Sequence, residues 1–251
     1  MVKVLFDHTI FLHQKNGGIS KYINKINQNL YKFKVTNRIF SPISINDNLR
    51  RNQDYNIFYL KFRKIPKFFT KIFYFINNLT SIIYIFFFKP DIIHFSYYNN
   101  FLVKFIKIPY VITVYDLISE KMHFKQTMFK KKNLIKNAKH IFCISNQTKR
   151  DLIKYYKVKK KKISVVYLGV DQKKYLKKNK KNYILFVGSR VRYKNFNNLL
   201  KAFSKSKYLL KNYKILCFGD KKFNNSEIYQ FNKLKIEKKI FFESGNDSEL
   251  N

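Results

Sequence analysis

The stretch YILFVGSRVRYKNFNNLLKAF, residues 183–203, decides the fold class. Its first five residues are continuously apolar, as expected for a strand buried in a parallel sheet. Gly188 then allows a tight turn. Apolar residues return after it at the spacing of one helix face, at Phe196, Leu199, Leu200 and Phe203. A strand followed by a glycine turn and an amphipathic helix is the repeating unit of an α/β fold with a largely parallel sheet.

Apolar runs and helix-period segments alternate on both sides of this stretch. Strands are predicted at Val2–Phe6, Val35–Phe40, Ile57–Lys61, Ile92–Phe95, Tyr110–Tyr115, Ile141–Ile144, Ile163–Tyr167, Tyr183–Val187, Tyr213–Phe218 and Ile240–Phe242. Helices are predicted at about 19–30, 68–88, 147–156, 196–203 and 228–234. A Lys- and Asn-rich segment at 172–182 is interpreted as a linker between two Rossmann-like domains, 1–171 and 183–251. The second domain has about three predicted strands, fewer than an ordinary sheet, so we expect it to be incomplete.

The chain carries 52 Lys and Arg against 14 Asp and Glu, a formal net charge of +38 in 251 residues. Its frequent residue types, Lys, Asn, Ile, Phe and Tyr, have codons rich in A and T, so we attribute the charge first to an AT-biased genome. Nucleic-acid binding, in which cations neutralise phosphates, is the rival explanation. In either case the positive field attracts anions, including nucleotide diphosphates and anionic lipid headgroups.

Three further features of the sequence indicate the cellular compartment and the relation to a membrane. The two cysteines, Cys143 and Cys217, lie in apolar runs and are predicted to be core residues on strands, which fits a reducing cytoplasm. The N-terminus becomes polar at Asp7, too early for a secretory signal. The apolar segment 68–88 is interrupted by polar residues, so a buried or half-buried helix is favoured over a membrane span, with an interfacial helix as the intermediate case.

Polar residues at predicted strand ends are candidates for ligand binding, because ligands of such sheets bind at the carboxyl ends of the strands. The paired glycines Gly17 and Gly18 allow backbone N–H groups to approach a phosphate, although a plain tight turn explains them equally well. Asp116 directly follows a strand and His94 ends one, with Glu120 nearby; such groups bind sugar hydroxyls or orient an acceptor. A structural hydrogen bond is the commoner role of a lone histidine.

The turn after Val187-Gly188 is the most informative candidate. It places Arg190 and Lys194 beside the start of a helix, which suits a diphosphate leaving group. Basic residues are frequent throughout this chain, so the argument rests on their spacing after the glycine.

Taken together, the segments form an ordered series over essentially the whole chain. They are Phe6-Asp7 and Gly17–Tyr22, then Lys89–His94 and Val111–Glu120, then Ala138–Ser145, Thr148–Leu152 and Lys162–Asp171, and last Tyr183–Gly188 with Lys194–Phe196. In order and spacing the series resembles the retaining glycosyltransferase family 4, whose members have the GT-B fold of two Rossmann-like domains.

The resemblance implies that the N-terminal domain binds the acceptor and the C-terminal domain binds the nucleotide-sugar. It places Gly17 and Gly18 near the donor diphosphate across the cleft, and Arg190 and Lys194 as a clamp on that diphosphate. Asp116 is the predicted catalytic residue. The predicted acceptor- or sugar-binding residues are His94, Tyr115, Glu120 and Ser145. Cations that grip the departing diphosphate stabilise the transition state selectively, so no metal and no cofactor beyond the donor are expected.

The sequence departs from the family pattern at two places. Many relatives have His-Asp where this chain has Tyr115-Asp116, so a catalytic imidazole is absent there. The glutamate pair spaced eight apart, which contacts the donor in the family, would lie beyond Asn251, and we expect these 251 residues alone not to turn over.

The leading hypothesis is therefore a hexosyl transfer, with retention, from a nucleotide-sugar to a glycan or lipid-linked acceptor in surface polysaccharide synthesis. The expected location is the cytoplasm, peripherally at the inner face of an anionic membrane. Two alternatives stay open. One is an inactive truncated fragment of such an enzyme; the other is a basic nucleic-acid-binding protein, which would need base-stacking aromatics beside its cations.

Overall fold

The computed structural model describes residues 1–49, 60–62, 64–170, 181–190, 192–219 and 221–245. The chain divides into two compact units, Met1–Asp171 and Gln172–Asn251. Of the predicted linker 172–182, only residues 181 and 182 lie within the described residues.

The first unit is built on a six-stranded sheet with two short strands beside it. Its strands are β1 (Lys3–Phe6), β2 (Thr36–Ile39), β3 (Ile43–Ser44), β4 (Leu60–Lys61), β5 (Ile92–Phe95), β6 (Tyr110–Val114), β7 (His140–Cys143) and β8 (Ile163–Val165). The six-stranded sheet has the order β2-β1-β5-β6-β7-β8, and β3 pairs with β4. Every strand pair is parallel. The parallel sheet predicted from the continuous apolar runs is therefore confirmed.

Helices join these strands. They are α1 (Thr9–His13), α2 (Gly18–Leu30), α3 (Lys67–Phe88), α4 (Asn100–Phe105), α5 (Ile118–Lys121), α6 (Lys125–Asn137) and α7 (Asn146–Tyr156), with 3-10 turns at Tyr31–Phe33 and Lys160–Lys162. The central strands bury alternate side chains on both faces, and their apolar residues join those of α6 and α7 in one core. Cys143 is fully buried in it.

The strand order changes direction between β1 and β5. Chain order runs outward from β1 to β2 on one side, then from β5 to β8 on the other. Such a switch point opens a crevice at the carboxyl ends of the two strands, and ligands of open α/β sheets bind there. Asp7 and Ser96 follow β1 and β5 at this position.

The second unit has a three-stranded parallel sheet of order β11-β10-β9. Its elements are β9 (Tyr183–Val187), α8 (Phe196–Lys205), α9 (Lys207–Asn212), β10 (Lys214–Phe218), α10 (Asn225–Lys233) and β11 (Ile240–Glu243), with 3-10 turns at Arg192–Lys194 and Glu237–Lys239. Phe196, Leu200 and Phe203 of α8 pack on Ile215 and Cys217 of β10. The strand, glycine turn and amphipathic helix predicted from residues 183–203 are confirmed, but the strand is not buried on both faces, because Tyr183, Leu185 and Val187 are exposed.

A buried or half-buried helix was predicted at 68–88, and the half-buried form is observed: α3 forms at Lys67–Phe88 with one face packed on the protein and the other exposed. Residues 68–88 have a mean hydropathy of 1.4 with 22% of the segment buried, so this helix is long and apolar enough to cross a membrane by length and composition.

Candidate functional site

Two glycines face each other at the carboxyl edge of the second unit's sheet. Gly188 follows β9 and Gly219 follows β10, and the Gly188 N–H donates to the Phe218 carbonyl at 2.7 Å. A Cβ on Gly219 would lie 3.1 Å from the Gly188 carbonyl oxygen. The two backbones approach this closely only because neither residue has a side chain.

Gly188 also has a left-handed backbone, with φ of +97°. The turn that follows curls back, so that the Lys194 ammonium lies 3.3 Å from where a Gly188 Cβ would stand. Lys194 itself is exposed to solvent. The glycine pair and Lys194 therefore form a side-chain-free edge with one cation over it, which we call the glycine cradle (Gly188, Gly219 and Lys194).

Sequence reasoning missed Gly219. The signal was present, because Cys217-Phe218-Gly219 repeats the strand-then-glycine pattern of Phe186-Val187-Gly188. Parallel neighbours end at the same edge, so the two glycines had to meet if β9 and β10 were adjacent.

Arg190 is not free in the way the predicted clamp requires. Its Nε and Nη2 donate to the two carboxylate oxygens of Glu227 at 2.7 and 3.2 Å, and the side chain is 6% exposed. Nη2 also donates to the carbonyls of Lys221 and Lys222, and the guanidinium stacks over Phe223 at 4.9 Å. Arg190 therefore links the loop after β9 to the segment that follows β10.

Glu227 is the carboxylate partner of Arg190 in this link. It is the third residue of α10 and forms a capping box with Asn224, so its carboxylate is held by the start of its own helix as well as by Arg190. Partial burial acts to raise the pKa of Glu227, but the Arg190 guanidinium and the Asn224 backbone N–H together outweigh it and hold the pKa below the ordinary value. Arg190 thus positions the turn that carries Lys194.

The side chain of Asp116, one of the residues predicted on the first unit, is exposed to solvent. It follows β6 by two positions, and its Oδ1 accepts the Ile118 N–H at 3.1 Å. This bond fixes the carboxylate at the start of α5 while leaving it accessible to solvent. Asp116 is therefore placed at the carboxyl edge of the sheet, where a ligand can reach it.

Gly17 and Gly18 lie at the start of α2. Gly17 precedes the helix in an extended conformation, and a side chain there would displace Gln14; a Cβ on Gly18 would meet nothing within 4 Å. Among the described residues, no side chain caps this helix end. One turn on, Tyr22 packs edge-on against Tyr115 with ring centroids 5.9 Å apart, which holds the start of α2 against the end of β6.

His94 and Tyr115 are buried at this edge. His94 Nε2 lies 2.9 Å from Thr113 Oγ1 and its ring lies between Phe6 and Phe142. Burial lowers the pKa of His94 to about 4, so the ring is neutral near pH 7. A structural hydrogen bond was predicted as the commoner role of such a histidine, and the contact with Thr113 supports that role. Burial likewise raises the pKa of Tyr115 well above its ordinary value.

Glu120 lies in a buried ion pair, so the structure does not support its predicted contact with an acceptor. Its Oε2 lies 3.0 Å from Lys131 Nζ and accepts from Ser119 Oγ at 2.8 Å, while its Oε1 accepts from the Tyr156 hydroxyl. Glu120 is 0% exposed and Lys131 is 2% exposed. The carboxylate is thus satisfied by protein groups that join α5, α6 and α7.

Ser145 is the N-cap of α7. Its Oγ accepts the Thr148 N–H at 3.1 Å, the bond that a serine before a helix commonly makes. The hydroxyl is half-buried and has this structural task without any ligand.

Sequence reasoning did not assign a role to the polar groups at the switch point. Asp7 Oδ1 accepts from both the backbone N–H and the hydroxyl of Ser96 at 2.6 Å, which ties the end of β1 to the end of β5. Burial raises the pKa of Asp7 against these hydrogen bonds. The neighbouring His8 is fully buried, and within the part of the chain that the structure describes its Nε2 has no hydrogen-bond partner.

Two family models cover the chain. Residues 16–174 match the model described as Glycosyltransferase Family 4, and residues 170–250 match the model described as Glycosyl transferases group 1. The first match alone extends over more than half of the sequence.

A curated relative matches a shorter stretch. The O-antigen chain mannosyltransferase RfbU of Salmonella typhimurium is 34% identical over 87 residues, which is 34% of this chain and 24% of the relative. The aligned region thus spans about a quarter of that protein.

Solved structures match at low identity over nearly all of this chain. Sucrose-phosphate synthase from Thermosynechococcus elongatus has a TM-score of 0.72 at 14% identity, covering 99% of this chain and 71% of its own. Anabaena HepE in complex with UDP and glucose has a TM-score of 0.68 at 15% identity, with coverages of 98% and 70%. At such identities the likeness shows the fold, and the predicted GT-B architecture is confirmed.

Proposed function

Because the chain belongs to the family described as Glycosyltransferase Family 4, we propose that it moves a hexosyl unit from a nucleotide-sugar to a glycan or lipid-linked acceptor, with retention of configuration. The name of RfbU, an O-antigen chain mannosyltransferase, supports surface polysaccharide synthesis as the setting. The structures of HepE with UDP and with UDP-glucose support a nucleotide-sugar as the donor.

The glycine cradle is the observation that carries this proposal. Gly188 and Gly219 leave the edge beyond β9 and β10 without side chains of their own, and the exposed ammonium of Lys194 supplies the charge opposite to that of a diphosphate. A lysine gains most when charge builds on the leaving diphosphate, so its contribution falls on the transition state. We assign Lys194 the diphosphate contact and Arg190 the task of holding the turn.

This arrangement also supports metal independence. Lys194 supplies a positive charge where other transferases use a divalent cation, and Arg190 remains within the same turn. We expect an excess of EDTA to leave nucleotide affinity unchanged. A loss of affinity that Mg²⁺ restores would contradict this part of the proposal.

On the first unit we propose Asp116 as the catalytic carboxylate that orients the acceptor hydroxyl. Its exposure at the carboxyl edge of β6 supports this role, whereas His94 and Glu120 are enclosed by protein. Tyr115 and Ser145 act through packing and helix capping. The proposed location is the cytoplasm, at the inner face of the membrane that holds a lipid-linked acceptor.

Calorimetric titration of the full chain with UDP and GDP tests the site. Replacing Lys194 by Ala removes a charged hydrogen bond and should weaken the preferred nucleotide about 10- to 100-fold. Lys201→Ala is the matched control, because Lys201 is an exposed lysine of the neighbouring helix α8. Equal losses in both variants would show that the general positive field binds nucleotide, and the site assignment would be wrong.

A further inference from the structure

The helix α3 shows the reverse of the usual amphipathic pattern, in which polar residues face water. Nine large apolar side chains are exposed along it: Phe68, Phe69, Ile72, Phe75, Ile76, Leu79, Ile83, Phe86 and Phe87. At 100° per residue they occupy roughly one third of the helix circumference. We call these nine residues the α3 apolar face.

The opposite side of α3 carries buried polar residues that hold the helix to the first unit. Asn77 accepts from the Ile43 N–H and donates to the Ile43 carbonyl, both at 2.9 Å. Asn78 Oδ1 accepts from Asn99 Nδ2 at 2.8 Å, and Ser81 Oγ lies 3.4 Å from His8 Nδ1. These contacts fix which side of the helix faces the protein.

The exposed apolar surface continues onto α4. Phe75 contacts Phe101 with ring centroids 5.8 Å apart, and Phe101 contacts Phe105 at 4.9 Å; Phe105 is 60% exposed. The five phenylalanines of the α3 apolar face alone expose on the order of 600 Å². The largest apolar patch of a soluble monomer is about 300–600 Å², so this surface calls for an apolar partner.

The charges around the α3 apolar face are positive. Residues 60–90 contain no Asp or Glu. Lys64 precedes the helix, Lys71 borders its apolar face and Lys104 lies on α4, and all three are exposed. Lysine stems lie along apolar surface while their ammonium groups reach for anionic headgroups.

We propose that the α3 apolar face and the adjoining end of α4 dock this protein onto an anionic membrane surface, with α3 lying in the plane of the headgroups. An amphipathic helix with cations at its border binds such a surface by inserting its apolar side chains. A spanning helix would have to withdraw Asn77 and Asn78 from their buried partners and place them in hydrocarbon. The proposal rests on the proposed function only for the lipid-linked acceptor that such docking would bring within reach.

Vesicle flotation of the full chain tests the docking surface. The triple variant Ile83→Gln, Phe86→Gln, Phe87→Gln alters side chains that are 53%, 72% and 74% exposed. Its matched control changes Leu168, Phe33 and Phe129 to Gln, which are 48%, 71% and 71% exposed elsewhere on the first unit. On vesicles of phosphatidylglycerol and phosphatidylcholine, we expect the α3 triple variant to lower the bound-to-free ratio at least tenfold, and the control to stay within twofold.

Several outcomes would overturn the proposal. Equal binding of the wild type and the α3 triple variant would exclude the α3 apolar face, and equal binding to pure phosphatidylcholine would exclude the anionic requirement. A change from dimer to monomer in the α3 triple variant, without vesicle binding by the wild type, would mean that the face joins two copies. The UDP and GDP affinities are measured on the same variants, so a failed docking surface is distinguished from a failed nucleotide site.

A tryptophan probe measures how deeply α3 inserts into the lipid bilayer. The sequence contains no tryptophan, so Phe87→Trp introduces a single emitter on the α3 apolar face. We expect a blue shift on anionic vesicles and stronger quenching by lipids brominated at shallow acyl positions. Quenching that is strongest at the bilayer centre would identify a spanning helix instead, and an unchanged spectrum would exclude insertion.

Discussion

Lys131→Met tests the placement of Glu120 inside the first unit. The Lys131 side chain is 3% exposed, and its Nζ lies 3.0 Å from Glu120 and 2.7 Å from the Ser119 hydroxyl. Methionine keeps the length and apolar character of the stem but removes the charge. The carboxylate of Glu120 is then buried with hydrogen bonds from Ser119 and Tyr156 alone.

The expected cost follows from this burial. Removing one partner of a buried pair costs about 3–5 kcal/mol, because the other charge is left uncompensated. An exposed pair would cost about 0–1 kcal/mol. The double variant Lys131→Met, Glu120→Gln leaves no buried charge, so it should be more stable than Lys131→Met by about 2 kcal/mol or more.

Urea denaturation at several pH values measures these free energies and adds a second criterion. Burial acts to raise the pKa of Glu120, but Tyr156 and Lys131 outweigh it and hold the pKa below its ordinary value of 4.5. In the wild type this stabilisation is present above pH 4.5 and is lost as the pH falls through the folded-state pKa. Without Lys131 the folded-state pKa rises, so the deficit of Lys131→Met should shrink as the pH falls from 7 to 4. A cost below 1 kcal/mol, or a deficit independent of pH, would refute the buried pair.

Three further predictions concern other residues. Gly188→Ala should lower the free energy of unfolding by about 1–2 kcal/mol, because a φ of +97° strains any residue with a Cβ; an unchanged urea midpoint would contradict this. Burial lowers the pKa values of His94 and His8 to about 4 and about 3, so stability should fall as the pH drops from 6.5, where the unfolded chain gains protons, towards 4. His94→Gln should reduce that slope by about 1.4 kcal/mol per pH unit, and an identical slope would exclude a neutral buried ring. Ser145→Ala should cost about 1 kcal/mol of stability as a lost helix cap while leaving nucleotide affinity unchanged, and calorimetry with urea denaturation separates the two effects.

Continuous apolar runs predicted the parallel strands well. Ile92–Phe95 and Tyr183–Val187 form strands with the predicted bounds, because their largely apolar runs stand between polar turns. The short helices α1, α4, α5 and α9 were not predicted, since four to six residues do not complete two helical periods. The predicted strand Ile57–Lys61 is described only at Leu60–Lys61.

The site was harder to predict because its contacts are long-range. The spacing after Gly188 predicted that Arg190 and Lys194 lie in one turn, but the partner of Arg190 is 37 positions away at Glu227. A pairing of that kind depends on where α10 begins, which the local pattern does not report. Glu120 was misjudged for the same reason, since Lys131 and Tyr156 reach it only after α6 and α7 pack.

Which face of α3 points into the protein could not be predicted, for a different reason. Its length and helical character followed from composition, but apolar side chains occur all around the helix and so do not mark the inward face. The buried amides of Asn77 and Asn78 mark it instead. A polar residue inside an apolar helix was interpreted as an interruption, whereas it anchors the helix to the protein.

The central claim is that a nucleoside diphosphate binds at the glycine cradle. The chain has six glycines, so protein labelled with ¹⁵N only at glycine gives at most six backbone amide signals, which single Gly→Ala variants assign. Titration with the preferred diphosphate should shift the Gly188 and Gly219 signals most, with the same affinity that calorimetry reports. If both signals stay in place at saturation while another glycine shifts, the diphosphate binds elsewhere and the account is wrong.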